Sequence, residues 1–414
     1  MAEALVTAYS EKEKQDSKDS KHDKADTRVH SVFSSHVALK QYGEENSWFI
    51  ELMIGVIRNK LLGSSGTVNS KLLTLSKKEG RTIGNSLASI LMSSTSSDLA
   101  VEEWILTFPA TQELDKNLIW FRPMMNRIAM RLLAKVAWGA KFRLYTGAAL
   151  SIMDMVTDVF TIIRFFEEGK SGFALASLAF IGASIFIQFV CVFAQNKKRG
   201  AKVLLYEMLI VVCMIKPAID AMRVANDGDV QAENVPFQAQ TELTATKCTE
   251  MFAESIPSSV LQMYALLGSD TVSVSAVGSI VCSAMAISFA STTISVDFDT
   301  DPMKRSFAPT YYGYMPDANR MLIFLLMTLM TASHVLMKVL ACSLLLRLSS
   351  MWLILYMGGD MAVYFLYKIV RGDLRYWISV SGWMSCLVSI FARVLVKVVT
   401  DFTLIVQFRG AFEL

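Results

Sequence analysis

Two aspartates, Asp154 and Asp158, stand in the middle of an otherwise apolar stretch, LYTGAALSIMDMVTDVFTIIRFF, at residues 144–166. At helical rise that length crosses a hydrocarbon core of about 30 Å. The four-residue spacing puts both carboxylates on one helix face. A carboxylate at that depth costs roughly 2.5–3.5 kcal/mol even on lenient insertion scales, so both are expected to face protein or water rather than lipid. Other apolar blocks carry the acids Asp220, Glu250, Glu254, Asp360 and Asp401 and the bases Lys216, Lys338, Arg393 and Lys397. Glu250 and Glu254 share a face by the same spacing, as do His334 and Lys338, while Arg393, Lys397 and Asp401 form a stripe. The set predicts an internal polar layer of ion pairs and water. The plainer alternative is that the charges pair off and only fix helix register. Lys216, Asp220 and Asp401, near the ends of their blocks, are expected to snorkel to the interface. The polar layer, or lipid pathway, read from the chain is therefore Asp154, Asp158, Glu250, Glu254, Gln262, Lys338, Asp360, Arg393 and Lys397.

Other chemistries are poorly supported. The chain has no Walker loop, no GxGxxG, no HExxH and no Gly-x-Ser-x-Gly elbow, so an enzyme is not expected and no cofactor is implied. The six cysteines are widely separated with no CxxC, which argues against a zinc site or a disulfide framework. Asp154 with Asp158 alone is too weak a pattern for a metal site. A net charge of +3 gives no reason to expect nucleic acid as a partner.

The elements that position these residues follow from composition. Hydrophobic residues make up 53% of the 414 and charged ones only 19%, below the quarter usual in soluble domains, and the charge runs are concentrated in the first third. That predicts an all-α protein, a polytopic transmembrane helix bundle of about eight helices behind a polar, partly disordered N-terminal region. Three parts are expected: a disordered charged tail at 1–46, a cytosolic or membrane-surface helical region at 47–143, and a transmembrane domain at 144–410. Residues 11–28 contain no large apolar side chain and cannot offset their ordering entropy. Residues 47–62 read as an amphipathic helix capped by Asn46 or Ser47. Residues 63–97 read as loops with one helix at 82–92, and 101–108 as a short apolar run ending at Pro109. The segment 117–143 is basic and amphipathic, which fits a helix lying on an anionic leaflet or, equally, a helix of a small soluble domain.

Membrane blocks are expected at 144–166, 172–194, 203–222, 241–267, 272–296, 321–346, 351–370 and 376–406. The fourth is polar, with Glu242, Lys247, Glu250, Glu254, Pro257 and Gln262, and is expected to be re-entrant or half-spanning. The fifth is rich in small residues, which suits close helix packing. The basic run QNKKRGAK at 195–202 and the cations before the first span favour a cytoplasmic N-terminus, in a plasma or internal membrane.

The segment MDMVTDVFTIIRFFEEGKSGFALASLAFIGASIFIQ at 153–188 resembles the XK-related membrane proteins, with Asp154 and Asp158 in the first span and Gln188 closing the second. ESIPSSVLQMY resembles that family's Glu-x-x-Pro-Gln-x-x-Leu-Gln-x-Tyr run. Glu254, Pro257, Leu261, Gln262 and Tyr264 match it, and Ser258 stands where the run has glutamine. The resemblance is clearest over 144–267. It implies a bundle of membrane helices, some only partly crossing, and an activity such as ATP-independent phospholipid scrambling, with Asp154, Asp158 and Glu254 along the lipid track. It also implies membrane phospholipids as partners. Two other readings stand beside it: an ion channel or secondary transporter using the same charges, and a non-transporting scaffold that recruits a protein partner through its N-terminal region.

Overall fold

The computed structural model describes residues 30–35, 37–58, 68, 71–94, 97–135, 140–197, 199–227, 239–269, 273–301, 312–315, 319–372 and 383–403. The chain divides into two units: one from residues up to Phe142 together with Asp299–Ile323, the other from Arg143–Phe298 together with Phe324 onward.

The first unit is a cluster of short helices around an aromatic and aliphatic core. Its helices are α1 (Val37–Glu45), α2 (Ser47–Arg58), α3 (Lys77–Ser93), α4 (Ser97–Thr107), α5 (Pro109–Asn117) and α6 (Phe121–Lys135). A capping box sets the start of α3: the Ser76 hydroxyl accepts from the Glu79 backbone N–H, and Glu79 accepts from that of Ser76. Pro109 opens α5, where its missing N–H costs nothing. Helices α2 and α3 cross so closely that a Cβ on Gly84 would lie 2.1 Å from the Leu52 carbonyl oxygen. Phe49, Leu52 and Met53 of α2 meet Ile83 and Leu87 of α3, Trp104 of α4 and Phe121, Met125 and Ile128 of α6. The indole of Trp104 donates to the Ile83 carbonyl at 2.8 Å, so the buried N–H is satisfied.

Several expectations change here. Helical structure at 30–35 and Val37–Glu45 means that the unfolded reading of 1–46 does not hold over its last part, while 1–29 lies outside the described residues. The helix expected at 82–92 begins earlier, at Lys77. The 117–143 segment is not one surface helix. Its apolar face, Phe121, Met124, Met125, Ile128, Ala129 and Leu132, is buried in the core of this unit, as a helix packed within a domain would be. Arg122 pairs with Glu102 and, at 2.6 Å, with Asp115, and Asp115 with Glu102 raises the guanidinium pKa above its ordinary value.

Residues after Asp299 belong to the same unit. The Asp299 carboxylate accepts backbone N–H groups from Gly313, Tyr314 and Met315 at 2.6–3.2 Å. Arg320 meets the buried Glu103 at 2.7 Å.

The second unit consists of α7 (Ala140–Glu167), α8 (Ser171–Asn196), α9 (Ala201–Val212), α10 (Lys216–Asp227), α11 (Ala239–Glu250), α12 (Ile256–Leu267), α13 (Val274–Thr300), α14 (Arg320–Leu348), α15 (Ser350–Val370) and α16 (Trp383–Thr403). Among the described residues four helices, α8, α13, α14 and α15, are long and apolar enough to cross a membrane by length and composition. Outward faces bearing Phe186, Leu329, Ile354 and Leu366 are exposed, as lipid-facing surfaces are.

The broken element is the third block, not the fourth. Residues 203–222 are interrupted at Cys213–Ile215, with Met214 at φ 58°, and Lys216-Pro217 starts a new helix. Each half is 12 residues, about 18 Å at helical rise and too short to cross. By contrast, α11 and α12 are joined without interruption by a π turn at Met251–Ser255, giving a helix of about 43 Å. The turn lies just before Pro257, whose ring and missing N–H disfavour regular α geometry there. The polar content of block four is therefore one buried helix face. Helices α9 and α10, joined at Cys213–Ile215, form a hairpin.

Candidate functional site

Asp154 falls at the midpoint of α7, and both it and Asp158 are 3% exposed. Serine and amide donors offset part of the cost of that burial. Asp154 accepts from Ser283 of α13 at 2.5 Å and from Ser255 of the π turn at 3.0 Å. Asp158 accepts from Ser258 at 3.2 Å and from the Gln262 amide at 2.8 Å, and the same amide reaches Ser258 at 3.1 Å. Charge-assisted bonds of this kind are about twice as strong as neutral ones. Three hydroxyls and one amide thus hold α7 against the π turn, α12 and α13 by their polar faces. Ser258, the departure from the family's run, is one of these donors.

The π turn sends adjacent side chains to different neighbours. Ser255 turns to α7, while Glu254, 6% exposed, accepts from Ser184 of α8, which in turn accepts from Gln188 at 3.1 Å. One helical turn earlier, Glu250 pairs with Lys247 at 3.3 Å, and Lys247 also donates to Ser151 of α7. Glu250, Glu254, Gln188 and Ser151 line a narrow cleft of about 20 Å³, completed by Met155, Ile185 and the hairpin residues Val211, Met214 and Pro217. This cleft has carboxylates on one wall and the tip of the α9–α10 hairpin on the other.

The hairpin is anchored by ion pairs that sequence reasoning assigned to the interface. Lys216, 1% exposed, meets Glu242 at 2.6 Å, Asp220 at 2.7 Å and Glu207 at 3.2 Å. Arg223 closes the network on Glu207 at 2.6 Å. Neither Lys216 nor Asp220 snorkels; both are buried.

The remaining predicted residues form a second group on α14, α15 and α16. Lys397 bonds Asp360 and Asp401, Lys338 donates to Tyr356 at 2.6 Å, His334 meets the Asp401 carbonyl at 3.1 Å, and Arg393 is fully buried. Asp360 is exposed in this group, its side chain open by 55%. An apolar cluster, with Met251, Ile256, Ile287, Val335, Val339 and Val396, joins α13, α14 and α16 to the opposite face of α11–α12. The single polar layer expected from sequence is therefore two separate ones. Asp154, Asp158, Glu250, Glu254 and Gln262 come together; Lys338, Asp360, Arg393 and Lys397 lie elsewhere.

Sequence reasoning missed Ser184, Gln188, Ser255 and Ser283 as parts of the site. Their signal was present as polar residues in apolar spans, but small residues there equally serve close packing. Among the described residues no group of three or more His, Cys, Asp or Glu is placed to hold a metal ion.

A family model described as XK-related protein matches residues 142–410, more than half of the chain. No curated protein and no solved structure matches it.

Proposed function

The chain belongs to the XK-related protein family, and from that premise we propose that it moves phospholipids between leaflets without ATP, using the polar cleft to carry headgroups while the tails stay in lipid. The observation that carries this reading is the cleft itself, lined by Glu250, Glu254, Gln188 and Ser151 inside a bundle of apolar helices. A headgroup crossing bare hydrocarbon loses its hydrogen bonds, each worth several kcal/mol there. Fixed acceptors and a buried lysine replace part of that hydration and lower the barrier. Asp154 and Asp158 are positioning residues on this reading, since serines already occupy them and they do not line the cleft. On this reading the N-terminus is cytoplasmic, and with α7 and α8 crossing, the basic residues Lys197, Arg199 and Lys202 lie on that side too.

Purified protein in liposomes with acyl-chain fluorescent lipid in both leaflets tests the proposal. An external quencher should remove signal well beyond the outer-leaflet half. Glu254→Gln should slow the second phase without altering monodispersity. Quenching that stops at half, with ion flux across the same vesicles, would replace this reading with a channel.

A further inference from the structure

We propose that α15 carries a second headgroup track, open to lipid along its length, on which the phosphodiester common to all phospholipids passes from cation to cation across the membrane. This adds a site to the reading above and rests on that reading.

Trp352, Tyr356, Asp360, Tyr364, Tyr367 and Arg371 recur at intervals of three or four residues, so they form one stripe along α15 and its C-cap. From first to last the stripe spans about 29 Å at helical rise, the thickness of a hydrocarbon core. Among the described residues of α15 only Lys368 is buried. Tyr356 is 41% exposed, Tyr367 53%, and the Asp360 side chain 55%. An ordinary lipid-facing helix is built differently. Its tyrosines and tryptophans gather at the two interfaces, whereas Tyr356 and Tyr364 lie one turn to either side of Asp360, the midpoint of α15. An ionised carboxylate at that depth is costly against hydrocarbon, so polar material has to reach it.

Cations accompany the stripe from Tyr356 onward. Lys338 of α14 donates to the Tyr356 hydroxyl at 2.6 Å, Lys397 of α16 bonds Asp360, and Arg371 donates to the Tyr367 hydroxyl at 3.1 Å. Between them the ammonium groups of Lys368 and Lys397 both lie 5.9 Å from the centre of the Tyr364 ring. Successive levels are at most about 6 Å apart along the helix axis. A phosphate therefore reaches its next charge-assisted hydrogen bond before it has gone far from the last. Tyrosine hydroxyls, which donate and accept, bridge the steps. The recognised group is the phosphodiester, so the track does not sort lipids by headgroup.

None of the residues lining the cleft comes from α14, α15 or α16. The cleft, at about 20 Å³, has to widen before a headgroup passes, while the stripe is already open. A protein helix laid over α15 would have to answer charges at several levels at once; a headgroup with its own water answers them in turn.

Parallel tracks add their rates, so the test slows the cleft first. Full-length Glu254→Gln protein is reconstituted with trace acyl-chain fluorescent phosphatidylcholine, and the rate at which inner-leaflet lipid becomes quenchable is read. Adding Lys338→Met and Arg371→Met should lower the remaining rate about tenfold, the equivalent of one charge-assisted hydrogen bond at the slowest step. Lys338→Arg with Arg371→Lys keeps both charges and should restore most of that rate. An unchanged rate in the methionine pair, a failed rescue, or a Glu254→Gln rate no higher than protein-free vesicles would overturn the second track and leave the cleft as the path. Wild-type rates equal to protein-free vesicles would overturn the lipid-transport reading with it. A two-chain mass in mild detergent that Asp360→Leu reduces to one chain would assign the stripe to a second copy and likewise overturn the proposal.

Discussion

Replacing Lys216 by methionine removes the charge at the centre of the hairpin network while keeping the length of the stem. The lysine ammonium lies 2.6 Å from Glu242, 2.7 Å from Asp220 and 3.2 Å from Glu207, with only 1% of its side chain exposed. Arg223 holds Glu207 at 2.6 Å but reaches Asp220 only at 3.4 Å, so it cannot take over all three carboxylates. Removing one partner of a buried ion pair costs about 3–5 kcal/mol, because a charge is left uncompensated. At about 2–4 °C per kcal/mol for a unit of this size, Lys216→Met should lower the unfolding midpoint by about 6–20 °C. Glu242→Gln makes the contrast. Glu242 is 21% exposed and its loss leaves Lys216 with two carboxylates, so the shift should stay within about 3 °C. Thermal unfolding of detergent-solubilised protein, followed by intrinsic fluorescence, reads both. A Lys216→Met midpoint within 2 °C of wild type, or a larger loss in Glu242→Gln, would refute the claim that this lysine organises the hairpin.

Other parts of the structure can be checked independently. Gly84→Ala places a methyl group 2.1 Å from the Leu52 carbonyl and forces α2 and α3 apart, so the first unit should lose about 1–3 kcal/mol or more; an unchanged unfolding midpoint would count against the close crossing. In a background with the native cysteines replaced, Arg199→Cys and Asn226→Cys should react with an impermeant thiol reagent from the same side of the membrane. Gln240→Cys should share that side and Ser269→Cys should react from the other. Labelling of residues 199 and 226 from opposite sides would mean that the third block crosses after all.

What could be read from the chain, and what could not, divides along a physical line. Apolar length marked the membrane helices, and four-residue spacing marked Asp154, Asp158, Glu250 and Glu254, because both signals are local. The third block was misread because hydropathy averages over Cys213–Ile215; the local sign was Lys216-Pro217, which suits a helix start better than its interior. The segment 117–143 carried the same amphipathic pattern whether it lay on lipid or on Trp104 and Phe49, and only the core distinguishes the two. Partners across helices were invisible for the same reason: nothing local tells Asp154 that Ser283 completes its shell.

The separation of the two polar groups has a consequence for any headgroup that enters the cleft. Met251 and Ile256, beside Glu254 in the chain, pack with Val335 and Val396 in a buried apolar cluster. Residues next to the carboxylates on the other side are Ser184 and Gln188, one turn apart on α8, with Ser177 two turns further along the same helix and its hydroxyl unpartnered. A polar group moving along the bundle meets hydrogen-bonding side chains at about one-turn to two-turn intervals on α8, and the apolar cluster of Met251, Ile256, Val335 and Val396 on its other side. The favoured track therefore follows α8 past the hairpin tip. Lys338, Asp360, Arg393 and Lys397 then act on the far side of the bundle, where Lys397 with Asp360 and Asp401 ties α15 to α16 and leaves the cleft untouched.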